Sequence, residues 1–182
     1  GAIELGDDAD NVRIDQRAHR VYVGYGGGAL AVIDPEARRK LGDVRLEGHP
    51  EGFQLDRTNN LVFVNVPDAG HIAVVARDSQ RQIATWPTGK LRDNFPMALD
   101  AQTGRVIVIF RRPARLEVFD VRSGRHIGGA DACGDADDVF VDPRRRLIRV
   151  DQRLARMNSS GPAMLMSTRP GVPSLRESTL IV

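Results

Sequence analysis

Acidic side chains and one histidine recur at comparable places in this chain, just before short apolar segments that each close with an aspartate. Counted back from those aspartates, the comparable positions hold Asp10, Asn11, His49, Glu51, Asp137 and Asp138. Carboxylate and amide oxygens are ligands that Ca²⁺ and other hard cations prefer, and the histidine would also admit a transition metal. If the segments converge in the fold, these residues form a polar binding site with a candidate set of divalent-cation ligands.

A simpler structural interpretation exists for the same residue types. Asp and Asn initiate turns and are common in loops whether or not a ligand binds. Residues 6–10 read Gly-Asp-Asp-Ala-Asp and residues 134–138 read Gly-Asp-Ala-Asp-Asp, as two related loops would. Two interpretations therefore stay open, a metal site and a solvated acidic cluster that binds a polar ligand, and the metal is unknown.

The segments that carry these residues belong to a degenerate repeat. Its closing aspartates are spaced about forty residues apart and are Asp15, Asp56, Asp100 and Asp142. In the second repeat, period-two and wholly apolar segments predict strands at 52–56, 61–66, 71–76 and 82–86, separated by turn sequences rich in Asp, Asn, Pro and Gly. Four short antiparallel strands in about forty residues are typical of one β-propeller blade.

The sequence therefore predicts an all-β fold, a β-propeller of four-stranded antiparallel blades, with about four blade equivalents in residues 1–150. The first and last blades are partial: residues 2–5 are expected to form the outer strand of a preceding blade, and the fourth repeat stops near Val150. Since each blade buries its faces against its neighbours, the chain is expected to be a fragment of a larger propeller. Its open blade faces predict self-association.

Residues 151–182 differ in character from the repeats. They hold three of the four methionines and three prolines, and they show no strand–turn–strand spacing. Two interpretations are open: an irregular, disordered extension, and a non-native segment produced by a shifted reading frame after about Val150. The second is favoured because the fourth repeat is interrupted midway.

Composition excludes several classes of function. The chain has 26 basic and 24 acidic side chains, a near balance that argues against a nucleic-acid partner. Cys133 is the only cysteine, so an intrachain disulfide and a thiolate metal cluster are excluded. No run approaches the ~18 apolar residues of a membrane helix, so no membrane span is expected. The start of the sequence shows no signal-peptide pattern.

Several strand pairs resemble the YVTN-type β-propeller repeat. In the second repeat these are the segments Val62-Phe63-Val64-Asn65 and Ile72-Ala73-Val74-Val75. Similar pairs occur at 21–24 with 30–34, and at 116–120 followed by a Ser-Gly turn. The resemblance implies a bacterial seven-bladed propeller, present here incompletely, with a binding role and a periplasmic or secreted location. It brings no catalytic motif.

These observations favour a non-catalytic propeller that binds or scaffolds a protein or a small polar ligand and needs no cofactor. The site is expected at the channel mouth, where the six polar residues named at the outset would converge. The alternative is a metal-dependent hydrolase of the lactonase or gluconolactonase kind, in which a divalent cation such as Ca²⁺ polarises the lactone carbonyl and activates water. Metal content and lactone hydrolysis would distinguish the two.

Overall fold

The computed structural model of this chain describes residues 2–152 and 164–166, which form fifteen β-strands and no helix. The strands are rich in Val, Ile, Leu and Phe, residues that suit a pleated, half-buried surface. They form four antiparallel sheets in which the order across each sheet follows the order along the chain. The predicted all-β class is confirmed. This part of the chain contains no helix long and apolar enough to cross a membrane.

The first two sheets correspond to the first two repeats. Sheet 1 contains β1 (Val12–Asp15), β2 (Arg20–Tyr25), β3 (Ala29–Asp34) and β4 (Arg39–Arg45). Sheet 2 contains β5 (Phe53–Asp56), β6 (Leu61–Val66), β7 (His71–Ala76) and β8 (Arg81–Pro87). Residues 2–5 are not strand, contrary to expectation. Instead, Ile3 and Leu5 pack as partly buried side chains against the cluster of Val23, Ala31 and Ile33 on sheet 1.

The other two sheets correspond to the third and fourth repeats. Sheet 3 contains β9 (Arg92–Asp100), β10 (Arg105–Arg112), β11 (Ala114–Asp120) and β12 (His126–Asp131). Sheet 4 contains three strands within the described residues: β13 (Ala136–Asp142), β14 (Leu147–Gln152) and β15 (Met164–Met166). The strand β15 lies in the segment where no strand was expected. Most of 151–182 falls outside the described residues, so both interpretations of that segment stay predictions.

The closing aspartates recur because each one builds the turn between the first two strands of its sheet. Asp15 Oδ1 accepts hydrogen bonds from the backbone N–H groups two and three residues later, at 3.2 and 3.3 Å. The same pattern occurs at Asp56, Asp100 and Asp142. In the last of these turns, the backbone N–H of Arg145 lowers the carboxylate pKa because it stabilises the charged form.

The same turn ends on a residue in the left-handed region of backbone space, four positions after the aspartate. These residues are His19, Asn60, Gly104 and Arg146, with φ between 51° and 66°. Asp34 and Asp120 build equivalent turns after the third strand of sheets 1 and 3. The repeat is therefore defined by turn chemistry as well as by apolar strands.

The strands give each sheet two apolar faces, which we call the front and back faces. The front face holds the side chains one and three positions before the closing aspartate, together with their cross-strand partners; in sheet 2 these are Leu55 and Phe53 with Val62 and Val64. The back face holds the intervening side chains, and in sheet 1 it includes Tyr22, Leu30 and Val32.

The chain divides into two compact units, Gly1–Phe95 and Pro96–Val182, and both follow one packing rule. In the first unit the back face of sheet 1 and the front face of sheet 2 form one buried cluster. In the second unit the back face of sheet 3, with Ile107 and Leu116, forms a buried cluster with the front face of sheet 4, with Val139 and Ile148. Each of these clusters is thus a front-to-back contact between consecutive sheets.

Candidate functional site

The polar residues predicted for the first unit lie at one edge of its sheets, which we call the loop edge. At this edge the second strand of each sheet turns into the third, and the fourth strand leads to the next sheet. His49 Nδ1 lies 2.7 Å from the Gly26 carbonyl oxygen and 3.6 Å from Asp8 Oδ2. Because a carbonyl oxygen only accepts, Nδ1 carries the proton, and the ring ties the loop between the sheets to the Gly26 turn.

Asp10 and Asn11 lie together at the same edge. Asn11 Nδ2 donates to Asp10 Oδ2 at 3.0 Å, and the backbones of both residues pair with Gly24. The backbone N–H of Glu51 donates to the Asn65 carbonyl oxygen at 3.0 Å. These three residues therefore extend the ladders of β1 and β5, and the exposed Asp10 carboxylate faces solvent.

Asp137 and Asp138 lie in the second unit, at the start of β13. Arg111 Nη2 is 3.1 Å from Asp137 Oδ1 and 3.0 Å from the Ala136 carbonyl oxygen. An arginine already compensates the Asp137 charge, which lessens the attraction of this carboxylate for a cation. Asp138 is exposed, and its backbone partner in β14 is Asp151.

No group of three or more His, Cys, Asp or Glu side chains within residues 2–152 and 164–166 is arranged to hold a metal ion. The divalent cation considered from the sequence gains no support from these residues. The lactonase alternative, which needs that cation, gains none either, and both stay predictions.

A buried polar cluster at the loop edge was not predicted from the sequence. We call it the amide cluster; it consists of Asn65, His71, Thr88 and Asn94, all of which are buried. Asn94 Nδ2 donates to Asn65 Oδ1 and to the His71 carbonyl oxygen, each at 3.1 Å. Asn65 Nδ2 donates to the Phe95 carbonyl oxygen at 3.0 Å. Side-chain amides thus connect β6, β7 and the first residues of β9.

Thr88 closes the cluster on the side of the connecting loop. Its hydroxyl oxygen lies 2.8 Å from the Gly70 carbonyl oxygen and 3.0 Å from the Leu91 carbonyl oxygen. The backbone N–H of Thr88 also donates to Gly70 at 3.0 Å. The loop after β8 is therefore fixed to the turn between β6 and β7.

Two atoms of the amide cluster keep unused hydrogen-bonding capacity. His71 Nε2 and Asn94 Oδ1 are buried and have no hydrogen-bond partner among the described residues. Leaving such a group unsatisfied costs about 1–3 kcal/mol. The other ring nitrogen, His71 Nδ1, lies 3.8 Å from the exposed carboxylate of Glu47. The cluster therefore contains an unpaired acceptor, Asn94 Oδ1, and an unpaired histidine nitrogen that donates or accepts according to its tautomer, and both atoms are inaccessible to solvent in this structure.

The repeat itself does not require polar groups at these positions. By strand register and by spacing from the closing aspartate, the equivalents of Asn65, Thr88 and Asn94 are apolar residues or glycine in the neighbouring repeats. They are Gly24, Leu46 and Pro50 in the preceding repeat, and Ile109, Ala132 and Ala136 in the following one. The only sequence signal for the cluster is an asparagine near the end of an apolar strand.

Glu117 forms a second buried polar group, in the second unit. Arg115 Nε lies 2.6 Å from Glu117 Oε1, and His126 Nε2 lies 2.5 Å from Glu117 Oε2. The carboxylate raises the pKa of Arg115 through this hydrogen bond. Both oxygens are thus engaged, so the group crosslinks β11 and β12 and leaves little capacity for a ligand.

Comparison with known proteins identifies the fold of this chain but no family. No protein-family model and no curated protein matches the chain. Among similar solved structures is the hydrazine synthase of Kuenenia stuttgartiensis, with a TM-score of 0.68 and 12% identity, over 79% of this chain and 42% of that one. Another is a chain of a structure titled Mitotic Checkpoint Complex, with a TM-score of 0.69 and 12% identity, over 81% of this chain and 45% of that one.

Likeness at such low identity is informative about architecture alone. Together with the repeated antiparallel sheets, it gives the chain a β-propeller fold of the WD40-like kind. The chain spans less than half the length of either similar structure.

Proposed function

We propose that this chain is a binding or scaffolding β-propeller with no catalytic role, and that it holds a polar group of its ligand at the amide cluster. The observation that carries this proposal is the pair of buried atoms with unused hydrogen-bonding capacity, His71 Nε2 and Asn94 Oδ1. They occur in a cluster that the repeat architecture does not need. A similar chain belongs to a structure titled Mitotic Checkpoint Complex, and membership of an assembly supports the same class of function here.

The side chains at the loop edge favour a polar ligand. The amide cluster supplies neutral groups, which match a hydroxyl or a carboxamide that both donates and accepts. The carboxylates of Asp8, Asp10 and Glu47 at the same edge would favour a neighbouring amine or other cationic group. A protein segment and a small polar ligand can both present such groups. The near balance of charges argues against nucleic acid.

Three finer parts of the proposal rest on the sequence resemblance. They are the YVTN type of repeat, membership of a larger, seven-bladed propeller, and a periplasmic or secreted location. No cofactor is required for a role of this kind.

The equivalent positions one repeat later provide a variant that removes the site. In the double variant Asn65→Ile and Asn94→Ala, each position carries the residue found at its equivalent, Ile109 and Ala136. Gln16→Ala, an exposed substitution at the opposite edge of sheet 1, is the control. All three proteins are screened by thermal denaturation against free amino acids, sugars, polyols and short peptides.

We expect at least one class of ligand to raise the Tm of the wild type and of the control, in proportion to its concentration. The double variant should remain folded and lose this response. A ligand that stabilises the double variant equally would place the site elsewhere. Hydrolysis of a lactone panel by the wild type in the presence of Ca²⁺ would contradict the non-catalytic role.

A further inference from the structure

The front face of sheet 1 is an apolar surface that nothing in the described part of the chain covers completely. Val12 and Ile14 on β1 are 52% and 58% exposed. Their cross-strand partners on β2, Val23 and Val21, lie on the same face. Val23 is buried and Ile3 and Leu5 pack on that part of the face, so its uncovered part is the edge formed by Val12 and Ile14. Contiguous apolar surface of this kind marks an interaction site more often than isolated exposed residues do.

Equivalent front faces elsewhere in the chain are buried. Phe53 and Val62 on the front of sheet 2 are fully buried against the back of sheet 1. Val139 on the front of sheet 4 is buried in the same way against the back of sheet 3. One contact illustrates the geometry: the guanidinium carbon of Arg13, on a back face, lies 5.4 Å from the centroid of the Phe53 ring on the next front face.

The partner surface that this rule requires, a back face, is exposed on sheet 4. Phe140 lies two positions before the closing aspartate of β13, which makes it the equivalent of Arg13, and it is 53% exposed. Its backbone partner on β14 is the exposed Arg149. The chain therefore carries an exposed front-face surface on sheet 1 and an exposed back-face aromatic on sheet 4.

We propose that two copies of this chain associate head to tail, with the back face of sheet 4 in one copy packed on the front face of sheet 1 in the next. Phe140 of one copy would then contact Val12 of the other, as Arg13 contacts Phe53 within the first unit. We infer that the partner is a second copy because this chain exposes both surfaces of a front-to-back contact, one on sheet 1 and one on sheet 4. The chain already forms this type of contact twice. Such an interface is directional, since the two surfaces differ.

The experiment uses the full chain and three glutamate variants of exposed side chains. Ile14→Glu alters the front face, and Phe140→Glu alters the back face. Ile83→Glu on β8 is the matched control, because Ile83 is 59% exposed, much as Ile14 is. Association is measured by sedimentation velocity and light scattering over a concentration series up to about 0.5 mM, a range that detects weak complexes. Circular dichroism verifies that each variant is folded.

We expect the wild type and Ile83→Glu to associate with rising concentration. Ile14→Glu and Phe140→Glu should each weaken association by at least about tenfold, because a buried, unpaired carboxylate is costly. A mixture of these two variants should form a dimer that neither forms alone. In that mixture Ile14→Glu supplies an intact back face and Phe140→Glu supplies an intact front face.

Three results would overturn the proposal. A wild type that stays monomeric over the whole series excludes association between copies. Loss of association in Ile14→Glu but not in Phe140→Glu would indicate a two-fold front-to-front contact instead. Equal weakening by Ile83→Glu would show that the association is non-specific.

Discussion

The carboxylate of Asp15 has two structural roles. It accepts the turn amides, as its equivalents in the other repeats do, and it also pairs with arginines of sheet 2. Besides accepting the turn amides, Asp15 pairs with the partly buried Arg77, and Arg57 Nε lies 3.4 Å from its Oδ1. Burial lowers the pKa of Arg77 because desolvation disfavours the charged guanidinium. The pair joins β1 of sheet 1 to the end of the third strand of sheet 2. A turn residue therefore also links two sheets.

Asp15→Asn should destabilise the chain by about 1.5–3 kcal/mol, because it removes the charge that compensates the partly buried Arg77. The asparagine keeps an oxygen for the turn amides, so the loss reports the ion pair. The control is Asp34→Asn, at a less buried turn aspartate that lies 3.6 Å from Arg20 and whose pKa is lowered mainly by the backbone N–H of Ala37. It should cost less than about 1 kcal/mol. Urea unfolding measures both, and equal losses would show that the Arg77 pair contributes nothing.

Sequence spacing could find Asp15 but not its partner. The aspartate recurs in every repeat, so counting reveals it, and its turn role follows from its side-chain chemistry. Arg77 has no counterpart in the neighbouring repeats, where Pro35 and Val121 take its place. A contact between sheets that occurs once leaves no periodic signal.

Turn residues set the ends of the strands. The strands at 61–66 and 71–76 match their predicted bounds because largely apolar segments there are bordered by turn residues on both sides. Strand β9 begins at Arg92, ahead of the apolar segment that closes with Asp100, and its first residues are polar. Polar residues in a strand resemble loop residues in sequence, so such ends are not predictable from composition.

Gly104→Ala tests the left-handed position that ends each turn. Gly104 has a φ of 66°, and an added Cβ would meet no atom within 4 Å, so any loss comes from backbone conformation. We expect a destabilisation of about 1 kcal/mol. Gly27→Ala is the matched control, because its Cβ would also meet open space and its φ is not positive. Thermal unfolding should show no loss there, and equal Tm shifts would contradict the turn model.

Across the whole chain, the repeated contact explains both what the sequence predicts and what it does not. Periodicity predicts sheets and their order, because every repeat contributes the same front and back positions. The amide cluster depends on four positions that become neighbours only when β6, β7, the loop after β8 and the start of β9 meet, so no local pattern contains it. The predicted acidic residues, in contrast, are chiefly loop and ladder residues of individual sheets.

The front-to-back contact also predicts that sheets lose stability together. Val62→Asp places a charge in the buried cluster between sheets 1 and 2. In that cluster the back face of sheet 1 is buried by the front face of sheet 2. We expect a loss of at least about 3 kcal/mol. Hydrogen exchange should show β2 and β3 of sheet 1 losing protection together with β6 and β7 of sheet 2, since each face is stabilised by its neighbour.

Val21→Asp separates this coupling from a general effect of charge in a strand. Val21 is the equivalent of Val62 in sheet 1, but it lies on the front face that carries the exposed Val12 and Ile14. At low concentration this variant should lose less protection than Val62→Asp in all four strands, because Val21 is only partly buried whereas Val62 is fully buried. If Val62→Asp unprotects only sheet 2 while sheet 1 stays protected, the sheets are independent and the repeat is not a cooperative unit.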